Sequence, residues 1–380
     1  MNKILFISSS RADYGLLKSL IKETQKINFD TYLLATGSHL SKEFGETIFE
    51  IKKDKIKKLI KKKILDNKFK EINISKYLIK SIQASSQIIQ KIKPNTVVIL
   101  GDRYELLGCA IAATISRIPI THLHGGEITS GAYDDSIRHS ISKLSHLHFP
   151  VHEKYKKRLI QLGEDPKKVF NFGALGAHSI KKTIFKSKTD LEKELKIKLD
   201  KKIFLITFHP TTLEKNQATY QISNLLSGLS NFKNEIKIFT TTNFDHENQK
   251  IKSKILNFAA KNKNTFFYSS LGHLNYISLM KICDVVIGNS SSGILETPSL
   301  GIPTVNIGNR QNGRVMSKNI INSKYEAKYI IQNIKRALCL DKKKLLKINS
   351  PFYKKDTPKK IAKKLINFKF ELKKTFFDLR

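Results

Sequence analysis

Carboxylates, histidines and glycines are concentrated in one stretch of the chain, residues 100–141, which reads LGDRYELLGCAIAATISRIPITHLHGGEITSGAYDDSIRHSI. Asp102 directly follows one apolar run, and His122, His124 and Glu127 come at the end of the next. Ligands bind at the carboxyl ends of parallel strands in open α/β sheets. Because both groups stand where such strands would end, this stretch predicts an active site.

Carboxylates dominate the stretch and suit general acid and base catalysis. The candidates are Asp102, Glu127, Asp134 and Asp135, which lie close in sequence to Arg138. A group that takes up a proton and a group that donates one need environments that push their proton affinities apart. Two of these carboxylates in unlike surroundings could divide the two tasks.

Short apolar runs alternate with longer helical patterns along the chain. The runs are KILFIS, TYLLAT, TVVILG, IPITHLH and HLHFP in the first half, then IFLITFH, IKIFTTT, TFFYSS, DVVIGN and PTVNIG. This alternation is typical of βαβ units, and 380 residues exceed the usual size of a single core. We therefore predict an α/β fold of two doubly wound Rossmann-like domains facing across a cleft.

A loop in the second half has the composition of a phosphate-binding loop. It consists of Asn289, Ser290, Ser291, Ser292 and Gly293, and it joins the run DVVI to the pattern ILETPSL. Small residues let the backbone approach a phosphate, hydroxyls donate hydrogen bonds, and a following helix offers free N–H groups. An ordinary helix-capping loop has the same composition, so that alternative stays open.

Three further residues could contact a diphosphate or a ribose. Arg11, in SSSRADYG, could clamp a diphosphate, or it could form a salt bridge with Asp13. His209, in ITFHPTT, could donate to the same diphosphate or be an ordinary loop histidine. Glu296 could accept hydrogen bonds from ribose hydroxyls, or it could simply be favoured in the first turn of a helix.

The domain boundary is expected where strand regularity lapses, just before the charged residues 181–202. We predict an N-terminal domain of residues 1–175, which carries the acid and base residues, and a C-terminal nucleotide-binding domain of residues 176–380. A final helical pattern over residues 358–374 could pack back on the N-terminal domain.

The formal net charge of +37 has the magnitude of a nucleic-acid-binding protein, but its distribution is different. Only nine of the 69 basic residues are Arg, and the Lys residues are spread along the chain, whereas nucleic-acid recognition favours Arg or a clustered basic face. Residues 52–63, KKDKIKKLIKKK, are typical of an amphipathic surface helix. We therefore expect no nucleic-acid partner.

Other sequence features argue for an enzyme that uses neither a metal nor a cofactor. The three cysteines have no metal-ligand spacing, and neither a Walker P-loop nor a G-x-G-x-x-G motif is present. No apolar run reaches the length of a signal peptide or a membrane span. A cytoplasmic protein with no membrane partner is the expectation.

Several longer motifs match one known family. They are SRADYG, ATGSHLS, LGDRYE, HGGE followed by DDSIRHSISKLSHLHF, FHPTT, GNSSSG and PSLGIPTVNIGNRQNGR. On these motifs the chain resembles the hydrolysing UDP-N-acetylglucosamine 2-epimerases, which make N-acetylmannosamine for sialic acid synthesis. The resemblance implies a GT-B-like fold and a reaction in two steps without a cofactor. UDP is eliminated across C1 and C2 to give 2-acetamidoglucal, and water then adds back with inverted configuration at C2.

The resemblance also implies roles for individual residues. The catalytic carboxylates would be Asp102 and Asp134, with a base in the HLHGGE segment. The positions that resemble substrate-binding ones are Arg11, His39, His209, Asn289, Ser290, Ser291, Ser292, Gly293, Glu296 and Arg310.

One position departs from the family pattern. Many relatives have Glu where this chain has His124, as in H-x-E-G-G-E. Either Glu127 supplies the missing carboxylate, or His124 takes over the acid/base role.

The resemblance leaves the substrate open. UDP-GlcNAc is the first expectation, and a UDP- or GDP-linked 2,4-diacetamido-2,4,6-trideoxy sugar, used for legionaminic acid, is the alternative because its enzymes look similar. A glycosyltransferase of the same fold is a further alternative. The expected partners are the nucleotide sugar and further copies of the chain, in a homodimer or a higher homo-oligomer.

Overall fold

A computed structural model of the protein describes residues 2–27, 29–242, 245 and 247–379. Its strands are β1 (Lys3–Ser8), β2 (Asp30–Ala35), β3 (Lys58–Lys61), β4 (Thr96–Leu100), β5 (Ile120–Leu123), β6 (Leu147–Phe149), β7 (Ile203–Thr207), β8 (Ile236–Thr240), β9 (Thr265–Tyr268), β10 (Val285–Gly288), β11 (Thr304–Ile307) and β12 (Ile320–Ser323). Its α-helices are α1 (Arg11–Lys26), α2 (Ile48–Lys53), α3 (Ile74–Ile92), α4 (Tyr104–Ile115), α5 (Asp134–Leu144), α6 (Glu153–Gln161), α7 (Leu175–Lys182), α8 (Lys188–Leu195), α9 (Ala218–Leu229), α10 (Asn248–Lys261), α11 (His273–Ile282), α12 (Ser292–Leu295), α13 (Ala327–Leu338), α14 (Lys342–Leu346) and α15 (Thr357–Asn367).

Contacts divide the chain into two compact units. The first consists of Met1–Glu127, Asp134–Ser179 and Phe352–Arg380, and the second of Ile128–Tyr133 and Ile180–Pro351. A single boundary after residue 175 therefore does not describe the division. The short segment Ile128–Tyr133 belongs to the second unit because its backbone bonds to residues there, as when the Ser130 N–H donates to the Asn312 carbonyl.

The first unit is built on a parallel six-stranded sheet in the order β3-β2-β1-β4-β5-β6. This is the doubly wound order, and its switch point lies between β1 and β4, where the connections turn to opposite sides. Both central strands are apolar and buried, as expected for a parallel sheet covered on two faces.

The second unit repeats the arrangement with a parallel sheet in the order β12-β11-β10-β7-β8-β9. Its switch point lies between β7 and β10. The predicted fold class, with two doubly wound Rossmann-like units, is thus confirmed.

Helices cover both faces of each sheet and close separate apolar cores. In the first unit one core contains Phe6, Leu17 and Val98, and the other contains Ile7, Ile99 and Cys109. The alternation of β1 explains the two cores, because neighbouring side chains of a strand point to opposite faces. Helix α15 packs against α1 within the first unit, and Ile361 and Leu365 join its core.

Two local predictions were wrong. The run of residues 52–63 forms no continuous surface helix, because α2 ends at Lys53, Lys55 takes a positive φ, and residues 58–61 form the edge strand β3. Lysines on an edge strand oppose further strand pairing, which fits their place here. The final helix ends at Asn367, before the predicted residue 374, and the chain continues without a helix beyond it.

No helix within the described residues combines the length and the apolar character that a membrane span requires.

Candidate active site

Asp102 lies just beyond the end of β4, at the switch point of the first sheet. Gly101 makes the turn with φ +89, a backbone conformation that glycine adopts without strain. The Asp102 carboxylate forms an ion pair with Arg138 of α5, and its side chain is 20% exposed. The carboxylate is therefore paired with a cation, partly exposed and fixed in position, which are features that suit a catalytic group.

Arg138 joins three segments of the site from within the protein. Its guanidinium pairs with Asp102, donates to the Glu127 backbone carbonyl over 2.9 Å, and lies 3.1 Å from the Asp135 carboxylate. Its side chain is only 1% exposed. Burial alone would lower the pKa of Arg138, but the Asp102 and Glu127 carboxylates raise it, so the cation is permanent.

The HGGE turn follows β5 and is shaped by two left-handed residues. Strand β5 ends at Leu123, and His124 takes φ +65, so His124 stands beyond the strand and outside the alternation of its two faces. Gly126 takes φ +77, and a Cβ there would lie 2.4 Å from the Tyr155 carbonyl. Only glycine fits so close to α6 in this conformation.

His124 and Glu127 form a buried pair. The His124 Nδ1 atom lies 3.1 Å from Glu127 Oε1, and both side chains are almost fully buried. The other ring nitrogen, Nε2, is buried and has no hydrogen-bond partner within the described part of the chain. A carboxylate that accepts from Nδ1 leaves Nε2 as a proton acceptor, so the pair can act as a general base.

His122 lies on β5 and has a different role. Its Nε2 lies 2.8 Å from the Gly101 carbonyl, and its Nδ1 lies 3.0 Å from the Ser142 hydroxyl of α5. Burial lowers its pKa to about 3, so the ring is neutral and donates to one partner while accepting from the other. His122 therefore holds the turn before Asp102 against α5.

Helix α5 presents three site residues on one face. Asp134 opens the helix and is buried, Arg138 follows one turn later, and Ser142 follows after another. A spacing of four residues places side chains in line along a helix. Arg138 is not among the site residues predicted from the sequence, although its spacing of four residues from Asp134 indicates that the two share a helix face.

The loop after β1 is held by Asp13. Its carboxylate accepts hydrogen bonds from the Ser9 and Ser10 backbone N–H groups and from the Ser9 hydroxyl, which completes the N-terminal cap of α1. Burial raises the pKa of Asp13. Arg11 is the first residue of α1, beside the switch point, and its side chain is half-buried.

His39, expected from the resemblance to bind substrate, has protein hydroxyls beside both ring nitrogens. The ring is fully buried, with Nε2 2.8 Å from the Ser8 hydroxyl and Nδ1 2.8 Å from the Thr47 hydroxyl. Burial lowers its pKa to about 3. These contacts hold the loop after β1, and a role of His39 in binding substrate stays a prediction.

In the second unit, His209 and Asn289 flank the switch point between β7 and β10. The Asn289 side chain accepts from the His209 N–H over 2.7 Å and donates to the His209 carbonyl over 2.8 Å. The Asn289 carbonyl in turn accepts from Arg310 and Gln311. Asn289 is fully buried and positions His209 and Arg310 through these contacts, and a contact of its own side chain with substrate stays a prediction.

The serine loop differs from the predicted phosphate loop in one respect. Helix α12 is a single turn, Ser292–Leu295, and Pro298 follows closely. Glu296 is therefore the C-cap of this turn, and the expected first-turn placement by a helix dipole was wrong. Ser290 and Ser292 hydroxyls lie 3.1 Å apart, with Ser292 also 2.6 Å from the Tyr276 hydroxyl.

Two other residues of the loop, Ser291 and Gly293, lie at the start of α12. Ser291 precedes α12 as its N-cap residue, although its side chain makes no capping hydrogen bond. Gly293 packs tightly in the turn, because a Cβ there would lie 3.0 Å from Thr304. Within the described ranges, His, Cys, Asp and Glu side chains form no group of three that could hold a metal ion.

Fold and site together define a two-unit, GT-B-like α/β protein that carries carboxylates and a buried histidine at a strand-end switch point. A solved structure of Methanocaldococcus jannaschii UDP-GlcNAc 2-epimerase, in complex with UDP-GlcNAc and UDP, has the same fold, with a TM-score of 0.80, 18% identity, and coverage of 96% of this chain and 99% of that one. The family model for UDP-N-acetylglucosamine 2-epimerase matches residues 22–366. The chain belongs to this family.

Two curated relatives are closer in sequence. A Campylobacter jejuni GDP/UDP-N,N'-diacetylbacillosamine 2-epimerase (hydrolyzing) is 47% identical over 324 residues, which are 84% of this chain and 84% of the relative. The Escherichia coli polysialic acid biosynthesis protein P7 is 36% identical over 389 aligned positions, covering 100% of this chain and 98% of the relative. The protein is thus a hydrolysing 2-epimerase of UDP- or GDP-linked sugars.

Proposed function

We propose that this enzyme acts on a UDP- or GDP-linked 2,4-diacetamido-2,4,6-trideoxy sugar, N,N'-diacetylbacillosamine, releasing the nucleoside diphosphate and the C2-epimerised sugar. The observation that carries the proposal is the 47% identity to the Campylobacter jejuni enzyme named for that donor. The sequence alone gives this donor as the alternative substrate, and the identity to this relative makes it the first candidate.

The first step is an elimination. His124 Nε2, with Nδ1 held by the Glu127 carboxylate, removes the proton from C2. The C1–O bond breaks, its electron pair leaves with the nucleoside diphosphate, and a 2-acetamidoglycal remains. Glu127 stabilises the imidazolium that forms, as a carboxylate does for an adjacent histidine base.

The second step is a hydration. Asp102, kept ionised by the buried Arg138 cation, accepts the proton of the water that adds to C1. Asp134, which is buried at the start of α5, gives a proton to C2 from the opposite face of the sugar. The configuration at C2 is thereby inverted, and the two proton transfers balance the addition of water.

The diphosphate is the part of the substrate that we assign to the second unit. His209 and Arg310 are both positioned there through Asn289, one by its backbone and the other through the Asn289 carbonyl. The hydroxyls of Ser290 and Ser291 lie next along the chain, and their roles in binding phosphate are part of the proposal.

UDP-GlcNAc, with N-acetylmannosamine as product, is the second candidate. Two findings favour this donor. The relative that aligns with the full chain is named for polysialic acid biosynthesis, and the family model is described as UDP-N-acetylglucosamine 2-epimerase.

A donor panel tests the proposal. The purified enzyme is given UDP-GlcNAc, and UDP- and GDP-linked N,N'-diacetylbacillosamine, and the released nucleotide and sugar are quantified. We expect the highest kcat/KM with a diacetamido donor. A higher kcat/KM with UDP-GlcNAc would reverse the assignment, and release of sugar only when an acceptor is added would indicate a glycosyltransferase.

We further propose that the enzyme works in the cytoplasm as a homodimer, because its nucleotide-sugar substrates are cytoplasmic compounds and the resemblance implies a dimer. Sedimentation velocity should give about twice the monomer mass of 43.4 kDa. A monomer at micromolar concentration would contradict the dimer.

A further inference from the structure

Lys374, in the segment that follows α15, contacts the end of α5 and is only partly exposed. Lys374 Nζ donates to the backbone carbonyls of Lys143 and Ser145, over 2.6 and 2.7 Å, and lies 3.5 Å from the Ser142 carbonyl. The last carbonyls of a helix have no partner within the helix, and a cation is favoured beside them. Lys374 therefore caps the C-terminal end of α5 from a distant part of the sequence.

A buried carboxylate fixes Lys374 in this position. Glu164 Oε2 lies 2.7 Å from Lys374 Nζ and 2.8 Å from His148 Nε2, and Glu164 is only 2% exposed. Lys143 lies 3.3 Å from the other Glu164 oxygen. Burial alone would raise the pKa of Glu164, but His148 and Lys374 lower it, so the carboxylate is ionised.

The backbone on both sides of Lys374 is also anchored within the first unit. Phe368 and Phe370 pack against the core there. Beyond Lys374, the Phe377 N–H donates to the Gly163 carbonyl over 3.0 Å, and the Phe376 ring covers Gly163 so closely that a Cβ would lie 2.4 Å from it. The terminal segment, residues 368–379, is thus held at several points, and Lys374 is its charged contact with the end of α5.

Helix α5 transmits this contact to the candidate active site. The capped end includes Ser142, whose hydroxyl holds His122, and the next turn carries Arg138, which pairs with Asp102. Asp134 is at the other end of the same helix. A displacement of about 1 Å in catalytic groups can reduce turnover a hundredfold.

We propose that Lys374 is a positioning residue for catalysis, which holds α5, and with it Arg138 and Asp134, in register with Asp102 by capping the end of the helix. The inference rests on the proposed roles of Asp102 and Asp134. It assigns to the terminal segment a function in the reaction, in addition to its part in the fold.

The test compares Lys374→Met with Lys374→Arg, and with Lys373→Met as the matched control, because Lys373 is exposed and adjacent. Three quantities are measured on the full chain: kcat with the best donor, the ratio of released 2-acetamidoglycal to hydrated sugar, and amide hydrogen exchange in α5. The ratio is informative because a smaller fraction of folded enzyme lowers kcat and leaves the ratio unchanged.

For Lys374→Met we expect kcat to fall about tenfold to a hundredfold, the glycal fraction to rise, and α5 amides to exchange faster. Lys374→Arg should recover most of each change, and Lys373→Met should match the wild type. If Lys374→Met is not recovered folded, Lys374→Gln, which keeps one donor group, gives the same comparison.

An unchanged glycal fraction together with unchanged α5 exchange in Lys374→Met would overturn the proposal. Arginine and methionine variants that are equally impaired would also overturn it. If the wild type turns over no donor, the proposed function has failed, and hydrogen exchange still decides whether Lys374 holds α5.

Discussion

Glu127→Gln is the substitution that examines the His124–Glu127 pair with least disturbance. The amide is nearly the same size as the carboxylate, and it can still accept from His124 Nδ1 over the observed 3.1 Å. Arg138 donates to the Glu127 backbone carbonyl, and the substitution retains this contact. The variant therefore removes one buried negative charge while keeping the size of the side chain.

The structure sets limits on the expected loss of kcat in Glu127→Gln. A carboxylate 3.1 Å from an imidazolium attracts it by about 5 kcal/mol at an effective dielectric constant of about 20, which corresponds to roughly 10⁴ in rate. Desolvation of the buried carboxylate offsets part of this energy. Loss of general base catalysis costs at least about a hundredfold. We expect kcat to fall between these two limits.

The assay is continuous detection of released nucleoside diphosphate, with thermal unfolding as a check that the variant is folded. Glu153→Gln is the matched control, because Glu153 lies on α6 with its side chain 60% exposed, and its kcat should stay close to wild type. A folded Glu127→Gln enzyme with a kcat within about threefold of wild type would refute the His124–Glu127 base, since general base catalysis contributes far more.

Three further predictions concern the same unit. Asp102→Asn should lower kcat about a hundredfold or more, because the amide takes up no proton and leaves Arg138 with one fewer anionic partner; steady-state kinetics of the folded variant checks this. Gly126→Ala should lower the free energy of unfolding by about 1–3 kcal/mol, since its Cβ would meet the Tyr155 carbonyl; Gly101→Ala, where nothing lies within 4 Å, should cost less in the same denaturant titration. Acid should destabilise the fold, because His39 and His122 have folded pKa values of about 3 against 6.5 in the unfolded chain. Their contribution is complete above about pH 6.5 and is lost as the pH falls towards 3, by about 2 kcal/mol for each histidine between pH 7 and pH 5. Urea titrations at the two pH values measure the loss, which should be about 2 kcal/mol smaller in His39→Gln, whereas an unchanged loss would show that His39 is not the buried neutral group described above.

Much of the fold could be predicted from the sequence because parallel strands are continuous apolar runs. β4 and β10 are examples, since each is largely apolar and ends just before a polar loop residue. Asp102 follows β4 after Gly101, and Asn289 follows β10 directly. β3 could not be recognised in this way. It is a four-residue edge strand, Lys-Leu-Ile-Lys, with an exposed lysine at each end, and so short a pattern is equally compatible with a helix.

The location of the candidate site could be predicted from the sequence, but the contacts between its residues could not. The ends of β4 and β5 marked Asp102, His124 and Glu127, and motif resemblance marked Asp134. The pairing of His124 with Glu127 depends on a left-handed turn at His124, a residue with no strong preference for it. Local patterns carry no information about such a turn.

Contacts between distant residues account for the remaining differences. His39 is occupied by Ser8, which lies 31 residues away, and Arg138 reaches Asp102 across 36 residues. Lys374 meets the end of α5 from about 230 residues away in sequence. Each of these contacts forms only when the first unit is folded, so neither composition nor periodicity indicates it.

The central claim is that the enzyme removes the C2 proton and returns one from solvent. The most direct measurement is turnover of the preferred nucleotide sugar in D2O, followed by NMR and mass spectrometry of the released sugar. The account predicts one deuterium at C2, inverted configuration there, and one nucleoside diphosphate for each sugar released. A released sugar that carries hydrogen at C2, or that keeps its original configuration, would contradict it.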